Sequence, residues 1–156
     1  MRHINLAAAA LLGCAAIACA LPAVAQPTPL IEVSDAWARA TTSMARAGGV
    51  FLTLTATGGT DRVASVSSPV AETIELHETI NDGGVMRMRP VPFLEVVPGT
   101  PAVLKPGGAH IMLLGLKRPL RRGETFPITV IFEKAPTVTA TVTVQSAGAS
   151  GSMHHR

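Results

Sequence analysis

The sequence has no tyrosine, one tryptophan and four phenylalanines, too few aromatic faces for the stacking platforms that hold single-stranded nucleic acid. Charge is scarce too: Asp, Glu, Lys and Arg together make up 15% of the chain, and the net charge is +3. A positive balance this small and scattered gives no electrostatic footprint for nucleic acid. Cysteine is confined to Cys14 and Cys19, and both fall in a segment that reads as removable. Arg2 and His3 precede an apolar run from Leu6 to Leu21, and Pro22-Ala23-Val24-Ala25 carries the small residues of a cleavage site. Residues 1–25 are therefore read as a signal peptide, which directs the protein to an oxidising, periplasmic compartment. Leu11-Leu12-Gly13-Cys14 offers a second outcome, lipoprotein processing with a lipid anchor on Cys14. Cleavage after Ala25 leaves a mature chain with no thiol and no membrane span. Disulfide scaffolds, cysteine nucleophiles and thiolate metal sites are then excluded together.

What the chain does contain is turn residues between short apolar runs, with 14 Gly and 12 Pro in a sequence that is 47% hydrophobic. A length of 156 residues suits one compact domain. The runs Ile31–Arg39, Gly49–Thr57, Arg62–Ser67, Thr73–His77, Val85–Val91, Leu94–Val96, Ala102–Leu104, Ala109–Leu114, Phe126–Phe132 and Thr137–Val144 predict strands. Gly58–Asp61, Asn81–Gly84, Pro98–Thr100, Pro106–Gly108 and Arg121–Glu124 supply the turns, with residues that tolerate positive φ or preset a bend. No intervening stretch has helical periodicity. The pattern is that of an all-β sandwich or barrel spanning residues 26–145, followed by a small, Gly/Ser-rich C-terminal tail, 146–156, read as flexible.

The residues that carry chemistry are clustered. Of five His and six Met in the chain, five lie between His77 and Met112: His77, Met86, Met88, His110 and Met112. Strand alternation puts His110 and Met112 on one face and Ile111 and Leu113 on the other. His77 shares a face with Thr73 and Glu75, opposite Ile74 and Leu76, which is not where a core histidine belongs. Its run is expected to end there, just before the Asn81–Gly84 turn. Imidazole and thioether are neutral donors that suit soft monovalent copper, whereas Met is a poor ligand for zinc, calcium or magnesium. A His₂Met₂ set thus points to Cu(I), held without any thiol that oxidation could remove.

His77, ten residues, Met88, twenty-one residues, then His110-x-Met112 is similar to the signature of the periplasmic copper chaperone PCu(A)C family. Asp35-Ala36-Trp37-Ala38-Arg39-Ala40, Glu75-Leu76-His77-Glu78, Gly83–Pro90, Leu104–Gly108 and Leu113–Lys117 resemble that family as well. The resemblance implies a cupredoxin-like Greek-key barrel, with Cu(I) held near the surface by His77, Met88, His110 and Met112. It also implies delivery of that copper to the dinuclear centre of cytochrome c oxidase, through subunit II or a thiol copper chaperone. Two positions depart from the pattern: Thr79 stands where relatives often carry a further Met or His, and Gly48–Phe51 lacks an aromatic-rich start to the second strand. Met86 fits the context but falls outside the ligand spacing.

The remaining features have plainer readings. Trp37 is a core or barrel-end anchor. Lys117-Arg118 and Arg121-Arg122 form a solvated turn, with docking to an acidic partner as the alternative. Met153-His154-His155 offers adjacent imidazoles that suit a second copper, Cu(II). No Ser/His/Asp ordering suggests an enzyme. The expected protein is a monomeric metal carrier that catalyses no reaction. A blue-copper electron carrier would need a cysteine thiolate that the mature chain lacks. Copper storage or resistance is the alternative function.

Overall fold

The computed structural model describes residues 27–151. The expected signal peptide with Cys14, and the tail group Met153-His154-His155, lie outside the described residues. Ten strands run in chain order: β1 (Leu30–Arg39), β2 (Ala47–Thr57), β3 (Asp61–Ser67), β4 (Ala71–Asp82), β5 (Val85–Pro90), β6 (Leu94–Val96), β7 (Ala102–Leu104), β8 (His110–Leu116), β9 (Thr125–Phe132) and β10 (Val138–Gln145). They pair in the spatial order β5-β4-β8-β2-β1-β10-β9-β3-β6, with β7 on β2. Every pair is antiparallel except β1–β10, which is parallel.

This long strand path folds over on itself into a sandwich, because its two halves bury side chains in one common core. Phe126, Ile128, Val130 and Phe132 alternate along β9, and Val142 and Val144 along β10. They meet Val50, Leu52 and Leu54 of β2, Ile111 and Leu113 of β8 and Leu76 of β4. Asp61 is the one buried carboxylate among the described residues, 1% exposed. It accepts the backbone N–H groups of Arg62 (2.8 Å), Lys134 (3.1 Å) and Ala135 (2.7 Å), tying the start of β3 to the chain after β9. Burial raises its pKa, but the backbone donors outweigh that and hold the carboxyl below its ordinary 3.8.

Strand β1 is not regular. Its register with β2 shifts between Ser34 and Trp37, so one extra residue is accommodated as a bulge. Asp35 there takes φ 52°, a left-handed conformation that Asp tolerates better than most residues. The bulge reverses the parity of the strand. Before it, Ile31 and Val33 face the core; after it, Ala36, Ala38 and Ala40 do. Trp37 and Arg39 are thereby turned to the outer face. Trp37 is buried at 4% exposure and is an anchor as expected, but it lies outside the main core cluster and stacks on Phe51 in a second, outer layer.

Several strand boundaries also differ from expectation. Strand β4 runs on to Asp82, so His77 sits in mid-strand instead of ending it. Glu78–Asp82 pair with β5 across an exposed hairpin, where both faces meet solvent and no apolar alternation marks the strand. Strand β2 begins at Ala47, two residues early. The chain after Gln145 folds back for at least a turn, with the Ala149 N–H donating to the Ser146 carbonyl (3.0 Å). Strand β5 closes one end of the path, and all six of its residues are exposed. Arg87 pairs with Asp82 (3.5 Å) and Arg89 Nε donates to Glu78 Oε1 (2.6 Å) along this edge.

Candidate metal centre

Three cross-strand rungs bring the predicted ligands to the outer face of the sheet. On β4 and β8, His77 lies directly opposite His110 and Glu75 opposite Met112. On β4 and β5, Thr79 lies opposite Met88. His77, Thr79 and Glu75 share one face of β4, so Met88 and Met112 flank the histidine rung on either side. The imidazole rings stand 5.9 Å apart, centroid to centroid. A metal–imidazole bond is about 2 Å long, and two rings sharing one ion stand at about such a separation.

The hydrogen bonds of the two histidines fix their tautomers. The His110 ring meets the Gly108 carbonyl at Nδ1 (3.0 Å). A carbonyl can only accept, so Nδ1 carries the proton and Nε2 is left with its lone pair. His77 Nε2 meets the Glu75 carboxylate (2.8 Å), which leaves Nδ1 as the free acceptor. Both leftover nitrogens, His77 Nδ1 and His110 Nε2, are buried and have no hydrogen-bond partner. Buried imidazole nitrogens with no partner are costly, and a ring whose other N–H is held by a carboxylate or carbonyl is prepared as a metal ligand.

Local sequence explains this preparation. Pro106-Gly107-Gly108 makes the turn before β8, with Gly107 at φ 78° and Gly108 N–H donating to the Lys105 carbonyl (3.0 Å). The turn aims the Gly108 carbonyl at both His110 Nδ1 and the Thr79 N–H (3.2 Å), locking β4 to the start of β8. Below the rung is an aromatic stack, in which Trp37 lies 4.6 Å from Phe51 and Phe51 lies 6.3 Å from His110. Glycine at position 49 leaves the Phe51 ring room, since a Cβ there would come within 3.2 Å of Phe51 Cζ.

Met88, His110 and Met112 line one cavity of about 270 Å³, together with Arg39, Ala47–Gly49, Phe51, Thr79 and Pro106-Gly107. Exposure grades across the ligands. His110 is 4% exposed and Met88 61%, while the His77 side chain is 13% exposed. His110 is thus buried, next to Phe51, deeper than the near-surface position that the resemblance implies. Met86 shares the face of Met88 but pairs with Asn81 at the solvent end of the hairpin. Thr79 contributes a buried hydroxyl with no partner. Among the described residues no group of three or more His, Cys, Asp and Glu side chains converges, so the oxygen cages that calcium needs are not formed there. Two prepared imidazoles beside two thioethers fit a soft monovalent ion.

Sequence reasoning did not single out three participants. Glu75 is placed on the His77 face without a role, Phe51 enters only as the end of the Gly48–Phe51 departure, and Arg39 only within a motif. The period-two spacing of Glu75 and His77 could have flagged the first. Nothing short of the bulge could have flagged the last.

Comparison with known proteins places the family and the fold. The LpqE-like family, described as "Putative lipoprotein LpqE-like", matches residues 31–144. "Putative lipoprotein Lxx21020" of Leifsonia xyli subsp. xyli is 38% identical over 145 residues, covering 88% of this chain and 86% of that protein. Among solved structures, CuI-DR1885 from Deinococcus radiodurans is 31% identical with TM-score 0.61, covering 78% of this chain and 81% of its own. The apo PmoF2 PCuAC domain superposes with TM-score 0.63 at 22% identity, covering 78% of this chain and 94% of its own. The sandwich described above is therefore the cupredoxin-like fold of PCuAC domains.

Proposed function

The chain belongs to the LpqE-like family and carries a PCuAC-type domain, and from that premise we propose that it is an exported Cu(I) carrier. Its ligands are His77 Nδ1, His110 Nε2 and the Met88 and Met112 thioethers. The observation that carries this reading is the pair of buried imidazole nitrogens left without partners by Glu75 and Gly108. Copper-bound forms of neighbouring domains, CuI-DR1885 and the copper-bound PCuAC domain from PmoF2, support it.

The ligand set behaves as a carrier must. All four donors are neutral and release metal by exchange, without the hold of a thiolate. Exposure orders the exchange: Met88, on the open edge strand, leaves first, and buried His110 leaves last. We propose that the acceptor is the dinuclear copper centre of cytochrome c oxidase, reached through subunit II or a thiol chaperone. Export rests on the leader-like residues 1–25 and on the lipoprotein description of the family. The lipoprotein description gives weight to processing at Cys14, and the mass of the mature N-terminus from membrane and soluble fractions decides between that and cleavage after Ala25.

Cu(I) titration with X-ray absorption tests the site. One Cu(I) with both nitrogen and sulfur scatterers is expected, and a shell of oxygen and nitrogen alone would overturn it. Mixing the Cu(I) form with a reduced acceptor domain beside a competing chelator tests delivery. An acceptor that fills no faster than from the chelator alone returns the function to storage.

A further inference from the structure

Arg39 is a cation inside the cavity that the carrier function does not yet use. It ends β1, and the bulge at Asp35 turns it to the outer face beside Trp37. Its Nε–H donates to the Ala149 carbonyl (2.8 Å) and its guanidinium lies 5.9 Å from the Phe51 ring centre. These contacts hold the head group, and among the described residues no further hydrogen bond engages its remaining N–H donors. Arg39 makes no ion pair among the described residues. It lines the cavity with Met88, His110 and Met112, and no Asp or Glu lines that cavity with it.

The charge balance of the cavity follows. Four neutral ligands leave the full positive charge on Cu(I), and Arg39 adds a second within the same cavity. Glu75 is bonded to His77, and neither residue lines the cavity, so the one carboxylate near the ligands stands behind His77 and not in the cavity itself. A volume of about 270 Å³ is roughly nine times that of one liquid water, so the cavity has space for an incoming side chain beside the ion. Focused positive potential in a cleft raises the encounter rate of anions.

We propose that Arg39 is the receiving site for an anionic copper-accepting donor, a thiolate foremost, which enters the cavity beside Phe51 and Gly49 and takes Cu(I) from the exposed thioether side. The proposal rests on the carrier reading above and names the chemistry of the group that collects the metal. Arg39 touches no ligand nitrogen, so its role is in exchange and not in holding the ion.

The test uses two chelators of one phenanthroline type, anionic bathocuproine disulfonate and neutral neocuproine, to remove Cu(I) from the loaded protein. In Arg39→Gln the anionic probe should remove copper about tenfold more slowly, while the neutral probe changes less than twofold. Arg39→Lys should restore most of the anionic rate. In the unmodified protein, added salt should slow only the anionic probe, a measurement that needs no variant to fold. Equal slowing of both probes, or no slowing of either together with no salt effect, overturns the assignment. A chain that binds no Cu(I) at all overturns the carrier reading itself, and is distinguished because no probe then reports copper.

Discussion

The two faces of the sheet formed by β4, β8, β2 and β1 are built from alternate residues of the same strands, yet they do opposite work. Inward, Leu76, Ile111, Leu113, Val50 and Ala38 join the apolar core. Outward, His77, His110, Met112, Phe51 and Trp37 form a layer of aromatic side chains and candidate metal ligands. A helix would spread these roles around a cylinder, whereas a strand separates them by one residue. Stability and metal binding can therefore be altered almost independently, by substitutions that are neighbours in sequence.

That independence can be broken in graded steps. Ile111→Ala, on the inner face at 1% exposure, should lower unfolding free energy by about 2–5 kcal/mol in denaturant titration, with the Cu(I) affinity of the folded protein nearly unchanged. Met112→Ala, one residue on, should weaken Cu(I) while stability moves by less than about 1 kcal/mol. If both variants lose copper alike, the faces are coupled and the comparison fails.

Asp61 sharpens the contrast from the other half of the sandwich. Asp61→Asn should cost about 2–3 kcal/mol, because an amide cannot satisfy all the backbone donors that the carboxylate meets. A carboxyl held below its ordinary value adds stability above that value and loses it as pH falls toward the lower native one. The gap between wild type and variant should thus be flat near neutrality and close below about 3.8. A gap that widens in acid would contradict the assignment.

Glu75 acts through His77. Glu75→Ala should weaken Cu(I) by about 10–100-fold, the usual cost of losing a carboxylate behind a ligating imidazole. Glu75→Gln, whose amide oxygen still accepts the Nε2 proton, should recover most of it. Nitrogen-15 NMR of the metal-free protein should show a single His77 tautomer that is lost in the alanine variant. A glutamine variant as weak as alanine would mean that charge, not the fixed tautomer, is what matters. The smallest effect is expected at Met86, where Met86→Ala should change affinity less than about twofold. A loss equal to that of Met88→Ala would displace the ligand assignment.

Much of this was legible in the sequence, because ten apolar or β-rich runs separated by turn residues mark ten strands. The five clustered soft donors, His77, Met86, Met88, His110 and Met112, were legible as a group, and the family resemblance picked out the four candidate ligands among them. Three things were not. In the β4–β5 hairpin beyond His77, Glu78–Ile80 are half-buried on both faces and all of β5 is exposed, so burial leaves no alternating apolar pattern to read. The His77–His110 rung is a pairing between strands 33 residues apart in sequence, which depends on register. The bulge at Asp35 inverted the parity of β1, and simple alternation would group Trp37 and Arg39 with Ile31 and Val33. One residue with positive φ thus moved two side chains from the core to the metal layer.

The exposed β5 strand also bears on how this protein behaves at high concentration. A strand at the end of a sheet presents unpaired N–H and C=O groups, a template on which another copy could add its own edge and begin a fibre. Leaving that edge open keeps Met88 within reach of an acceptor, but it invites self-association. Arg87 and Arg89, ion-paired with Asp82 and Glu78, place charged side chains on that edge, which a second copy would have to desolvate in order to pair there. The one strand thus carries both a candidate copper ligand, Met88, and the arginines that charge the open edge.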